Sequence, residues 1–215
     1  MSCHSLLMIT CGFITTLKTL DENIYFCGVK MEPPMKRYRH LFFVLNRTLW
    51  DFERNAKETF MEMYGRYNLY ERGIKAFSSF YNHYQEINHH LWELYRKGEI
   101  TKEKLRDSRF TQTLNHFNID DEALAASLAD YYITQSPLKT HLFPYTIELL
   151  DQLKQQYRLH IITNGFEEVQ QIKLRESGLR PYFDTVITSE QAGAKKPDLQ
   201  IFRFALDTAG AIAGD

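Results

Sequence analysis

The apolar positions of this chain keep one period up to residue 45 and a different one from residue 52. His40–Leu45 is a short continuous apolar run with aromatic content, the pattern of a buried parallel strand. A polar break follows at Asn46, Arg47 and Thr48. From Phe52 the apolar residues Phe52, Ala56, Phe60 and Met63 fall on one face of a helix, with Asp51 placed to cap it. Three more helical segments follow with no strand pattern between them. The first is Gly73–Lys97, stopped by Gly98; the second is capped by Thr101 and runs to Phe117; the third runs from Asp120 to Gln135, ahead of Pro137. The rhythm then alternates. A helix over Tyr145–Gln156 opens at Pro144, and RLHIIT (Arg158–Thr163) reads as a strand broken by Asn164-Gly165. A helix over Phe166–Ser177 stops at Gly178, Phe183–Thr188 is a further strand, and Pro197–Ala209 is the last helix.

Alternation of strand and helix predicts an α/β fold with a parallel sheet and helices on its faces. The helices between residues 51 and 136 are an insertion directly after the first strand. Ligands of such sheets bind outside the carboxyl ends of the strands, so this insertion is expected to lie over the site as a lid. The expected division is an extension at 1–35, disordered, an α/β core at 36–50 and 137–215, and a helical cap at 51–136.

Composition narrows the picture. The 215 residues are 44% apolar and 25% charged with a net charge of -1, which gives no electrostatic case for nucleic acid or an anionic membrane. Thirteen Tyr and fifteen Phe indicate dense packing among the helices. Cys3, Cys11 and Cys27 all precede Met31, which excludes a disulfide scaffold for the body and points to a reducing cytoplasm. Ser5–Leu17 is apolar but shorter than the roughly 18 residues of a membrane span, and no Lys or Arg precedes it as in a signal peptide.

Three strand ends carry the candidate chemistry: Val44-Leu45-Asn46-Arg47-Thr48, Ile161-Ile162-Thr163-Asn164-Gly165, and Ala192–Asp198 with Lys195 and Lys196 ahead of Pro197. Their order, carried by LFFVLNRTLWDFE, HIITNG and AKKPDLQIF, resembles the haloacid dehalogenase superfamily of phosphohydrolases. Within it, RTLWDFE, ITNGFEEVQ and TSEQAGAKKPD resemble the 5'-nucleotidases that act on pyrimidine nucleotides. The resemblance covers residues 36–210. It implies a Rossmannoid sheet with a helical cap, a nucleoside monophosphate as substrate and Mg²⁺ as cofactor. It also implies an Asp nucleophile at position 44 and an Asp acid/base at position 46, with Mg²⁺ between carboxylate and phosphate oxygens. Thr163, Asn164 and Gly165 match the phosphoryl-holding group. Lys196, directly before the Pro, matches the fixed cation better than Lys195 does.

The departures fall on the reacting positions. Val44 has no oxygen for phosphorus or metal, and Asn46 does not titrate usefully, which leaves its backbone carbonyl as a metal ligand. Mg²⁺ binding is therefore expected to be weakened or lost, and Lys196, without anionic partners, to stay solvated. The family's later strand ending in Gly-Asp is not matched: Gly214-Asp215 stands too close behind Phe202. The sheet is then expected to lack its C-terminal part, with the first strand left as an unpaired edge. Three readings follow: an impaired Mg²⁺-dependent phosphatase, a non-catalytic phosphate- or nucleotide-binding pseudoenzyme, and a truncated defective product.

Overall fold

The computed structural model describes residues 38–212 throughout, and ahead of them the strand assignments β1 (Met8–Ile9), β2 (Thr19–Leu20), β3 (Asn23–Phe26) and β4 (Val29–Lys30). The expectations for the extension at 1–35 and for Gly214-Asp215 otherwise lie outside the described residues. Two compact units emerge. One comprises Met1–Trp50, Phe143–Asn164 and Pro181–Asp215; the other comprises Asp51–Leu142 and Gly165–Arg180.

The first unit holds the parallel sheet. Its strands β5 (His40–Phe43), β6 (Arg158–Thr163) and β7 (Thr185–Thr188) lie side by side, with β1 on the outer flank of β5. The register runs His40 opposite Arg158, Phe43 opposite Ile161, and Thr163 opposite Thr188. Most residues of these strands are buried, and α8 (Leu199–Ala209) covers apolar side chains of all three. Phe42, Ile162 and Ile187 pack with its Ile201 and Ala205. The expectation that β5 is an unpaired edge is corrected: Met8 and Ile9, from the apolar run at 5–17, pair with Phe42 and Phe43.

α5 covers Thr146–Leu153, shorter than the predicted Tyr145–Gln156. Its start is displaced because Tyr145 takes the left-handed conformation at φ 64° and so cannot be the first helical residue. A short helix not anticipated from the sequence, α7 (Ser189–Ala192), is held by a capping box between Thr188 and Gln191.

The second unit is helical: α1 (Phe52–Arg66), α2 (Phe77–Lys97), α3 (Lys102–His116), α4 (Glu122–Gln135) and α6 (Glu167–Glu176). Asp51 caps α1 by accepting from Arg54 N at 3.1 Å, and Thr101 caps α3 by accepting from Lys104 N. Asp121, rather than Asp120, caps α4. Gly98 ends α2 at φ 78°, a conformation that glycine adopts without steric strain. The interior is aromatic: Phe60 meets the rings of Phe80, Tyr81, Tyr84, Phe110 and Tyr132. α6 belongs here by its contacts, with Phe166 at its start stacked on Trp92 and Glu168 paired with Lys102, whereas the sequence division grouped it with the sheet.

One polar residue closes this unit. Asn55 is fully buried, its amide donates to His141 O at 2.8 Å, and its carbonyl accepts from His141 N at 3.1 Å. Asn55→Ala leaves the buried-side His141 N–H without its acceptor, while His141 O keeps only the bond from Asp51 N. It should lower stability by about 2 kcal/mol in a denaturant titration; a loss under about 0.5 kcal/mol would contradict this role.

In the sheet, fully buried His160 bonds His40 at 3.0 Å and Thr185 Oγ1 at 2.7 Å. Burial first, and the neighbouring His40 second, push its pKa down to about 4 from 6.5. The neutral ring is the folded form, so its contribution is complete above pH 6.5 and is lost as pH falls toward 4. The expected loss is about 2 kcal/mol, less than the full shift because solvent reaches the pair through half-buried His40. Urea midpoints of the wild type should fall across that window, and His160→Gln should flatten the decline.

Candidate active site

Because β5, β6 and β7 are parallel, their carboxyl ends share one edge of the sheet. Val44 follows β5 directly and is half-buried. Beyond it the chain closes a tight loop: Leu49 N and Trp50 N both donate to Leu45 O, and Arg47 N donates to Trp50 O. The loop requires Arg47 at φ 62°, uncommon for a side chain with a Cβ, and sets it exposed beside half-buried Asn46. Fully buried Trp50 and Leu45 hold the loop against the sheet.

β6 delivers Thr163, buried, and then Asn164. The Asn164 side chain is fully used within the protein. Its amide donates to Lys196 O at 3.0 Å and its carbonyl accepts from Lys196 N at 2.8 Å. The Asn164 side chain is thus a clamp on the backbone of residue 196. Gly165 is part of the helical unit, where the buried Gln170 side chain lies across the space a Cβ would occupy, its Nε2 within 2.3 Å. No side chain larger than hydrogen fits there without moving Gln170.

The clamp brings Lys196 to the end of β6. Its ammonium donates to Ile162 O at 2.9 Å, which corrects the expectation that it stays solvated. The strand carbonyl takes the place of the missing anionic partners, and the side chain is half-buried. Burial pushes its pKa down to about 8 from 10.5. Lys195 is half-buried as well. The structure therefore brings Thr163, Asn164 and Lys196 together in the strand-bearing unit and sets Val44 and Asn46 at the same sheet edge. Arg47, which the sequence offered only as part of this strand end, is the exposed residue of the loop.

For metal chemistry the donor set decides. Mg²⁺ prefers carboxylate and other hard oxygen ligands in octahedral geometry. Positions 44 and 46 present an alkyl group and a carboxamide, and no cluster of three His, Cys, Asp or Glu suited to a metal occurs among the described residues.

Comparison with known proteins sets this geometry in a family. The family model for haloacid dehalogenase-like hydrolases matches residues 47–214. The pyrimidine 5'-nucleotidase YjjG of Escherichia coli is 36% identical over 131 residues, 59% of this chain. The pyrimidine 5'-nucleotidase PynA of Streptococcus pneumoniae is 31% identical over 163 residues, 75% of this chain. The chain spans only 55% and 65% of the lengths of these two relatives. Among solved structures, the putative hydrolase YfnB of Bacillus subtilis, described as bound to magnesium, superposes with a TM-score of 0.72 at 27% identity. That match covers 80% of this chain and 74% of YfnB. With a parallel sheet, a helical insertion after the first strand and a family match across most of its length, the chain belongs to the haloacid dehalogenase-like hydrolases.

Proposed function

We propose that this chain binds a small phosphorylated ligand of the nucleoside monophosphate class and hydrolyses it far more slowly than a family member with both aspartates. The observation that carries this reading is the two-point bond from Asn164 to Lys196. It fixes a cation at the end of β6, beside Thr163, while the neighbouring strand end holds Val44 and Asn46. Phosphate needs fixed donors and a positive charge, and Lys196 with the hydroxyl of Thr163 can supply them. The relatives named as pyrimidine 5'-nucleotidases support a nucleotide as the ligand.

Hydrolysis makes different demands. Attack on phosphorus needs an oxygen nucleophile at position 44, and departure of the ester oxygen needs a proton donor at position 46. Valine and asparagine provide neither. Removing a member of a catalytic set lowers turnover by about four to six orders of magnitude in a well-characterised protease, and two positions are altered here. The same two positions lack the carboxylates that would hold Mg²⁺, so the residues present do not fit the ion. A non-catalytic binding protein is the limiting case of this reading.

Two experiments test the proposal. Titration calorimetry with inorganic phosphate should show binding at pH 7 that weakens as pH rises through about 8, as Lys196 loses its charge. Lys196→Ala should abolish it and Lys196→Arg should remove the pH dependence; binding that survives Lys196→Ala sinks the site. Separately, the double variant Val44→Asp/Asn46→Asp should gain EDTA-sensitive hydrolysis of a nucleoside monophosphate, at least about 10⁴-fold above the wild type. Equal turnover in the two proteins would remove the claim of impairment.

A further inference from the structure

The loop after β5 sets a cation at a strained backbone position. Arg47 stands at φ 62° and is exposed, between half-buried Asn46 and buried Thr48. Glycine takes that backbone freely and asparagine with little strain, so the turn by itself calls for neither a long side chain nor a charge. Strain held at such a position directs attention to the side chain it presents. The backbone keeps that side chain at the strand end: Arg47 N donates to Trp50 O at 3.0 Å, and Leu49 N and Trp50 N close on Leu45 O.

The strand register brings this cation near Lys196. Phe43 lies opposite Ile161, so the next pair along the parallel ladder is Val44 and Ile162, about 5 Å apart. The Lys196 ammonium bonds the carbonyl of that same Ile162. Arg47 follows Val44 by three residues, at most about 10 Å of chain, and the loop folds it back toward Leu45. Loop, strands and Lys196 all belong to the strand-bearing unit. Burial is the cause that lowers the Lys196 pKa, so the guanidinium does not crowd the ammonium and the two cations stand apart.

The chemistry of this edge follows from its residues. Positions 44 and 46 supply an alkyl group and a carboxamide, without the carboxylates that would call for a divalent ion. Two fixed positive charges at one strand end suit a doubly charged anion. A guanidinium offers paired N–H donors to two oxygens of one phosphate, and its charge persists at any working pH.

We infer that Arg47 is the second cation of the strand-end site and grips the phosphoryl oxygens of the ligand together with Lys196, with no divalent ion needed to balance their charge. This inference rests on the phosphate reading of the site and adds the residue that completes its charge.

The test uses the full chain and inorganic phosphate, titrated by calorimetry at pH 7 in EDTA and again with Mg²⁺. The wild type should bind equally well in both. Arg47→Gly should weaken phosphate at least about tenfold, the loss of roughly one charge-assisted contact. It should also melt no lower than the wild type, because glycine suits the left-handed backbone. Arg47→Asn, the other residue at ease there, gives the same reading if glycine loosens the loop. Arg47→Lys should fall between, keeping the charge and losing the paired donors. Equal phosphate affinity in the wild type and Arg47→Gly overturns the inference and leaves the Lys196 site standing, as does binding that appears only with Mg²⁺. No phosphate binding by the wild type overturns both. Binding weakened by Arg47→Gly and untouched by Lys196→Ala keeps Arg47 and removes Lys196.

Discussion

Parallel pairing of three strands is the constraint from which the rest of this molecule follows. A parallel ladder places every strand's carboxyl end on the same edge, and it leaves no short connection between neighbours. Each return must cross over, and the crossover after β5 carries the helices of the second unit. Residues as distant in sequence as Val44, Thr163 and Lys196 are thereby assigned to one region before any side-chain contact is made. The register fixes the remainder: Phe43 opposite Ile161 and Thr163 opposite Thr188 set how far each strand end projects.

On that edge the Lys196 ammonium is held by a strand carbonyl. Val44 and Asn46 carry no charge, so the end of β5 holds no pair of carboxylates repelling one another. The helical unit carries a similar arrangement, the buried guanidinium of Arg109 held by the neutral phenol of Tyr84 and the ring of Tyr132.

Much of this was legible from periodicity. RLHIIT occupies the predicted strand to the residue, because its apolar run is bounded by charge on one side and Asn-Gly on the other. The helices of the second unit were likewise marked by Asp51, Thr101 and Gly98 at their ends. What could not be read depends on tertiary partners. No local pattern says that Met8–Ile9 pairs with β5, that α6 packs with the helical unit, or that Tyr145 accepts a left-handed backbone. The helix at Ser189–Ala192 is different: Thr188 and Gln191 spell a capping box, and its brevity hid it. At the site, the residue types were visible and their roles were not. The clamp that the Asn164 side chain closes on Lys196 could not be read, because its two partners lie 32 residues away in the chain.

The depressed pKa of Lys196 has a further meaning in terms of reactivity. An amine whose proton is released at about 8 is a nucleophile over the mildly basic range in which ordinary surface lysines remain ammonium ions. Lys173 has an even lower value, about 7, but it is 4% exposed and closed to reagents. Lys196 combines lowered basicity with partial access. In its neutral form the side chain is an amine open to acylation at the strand end, and the hydrogen bond to Ile162 O is given by the same nitrogen that would attack.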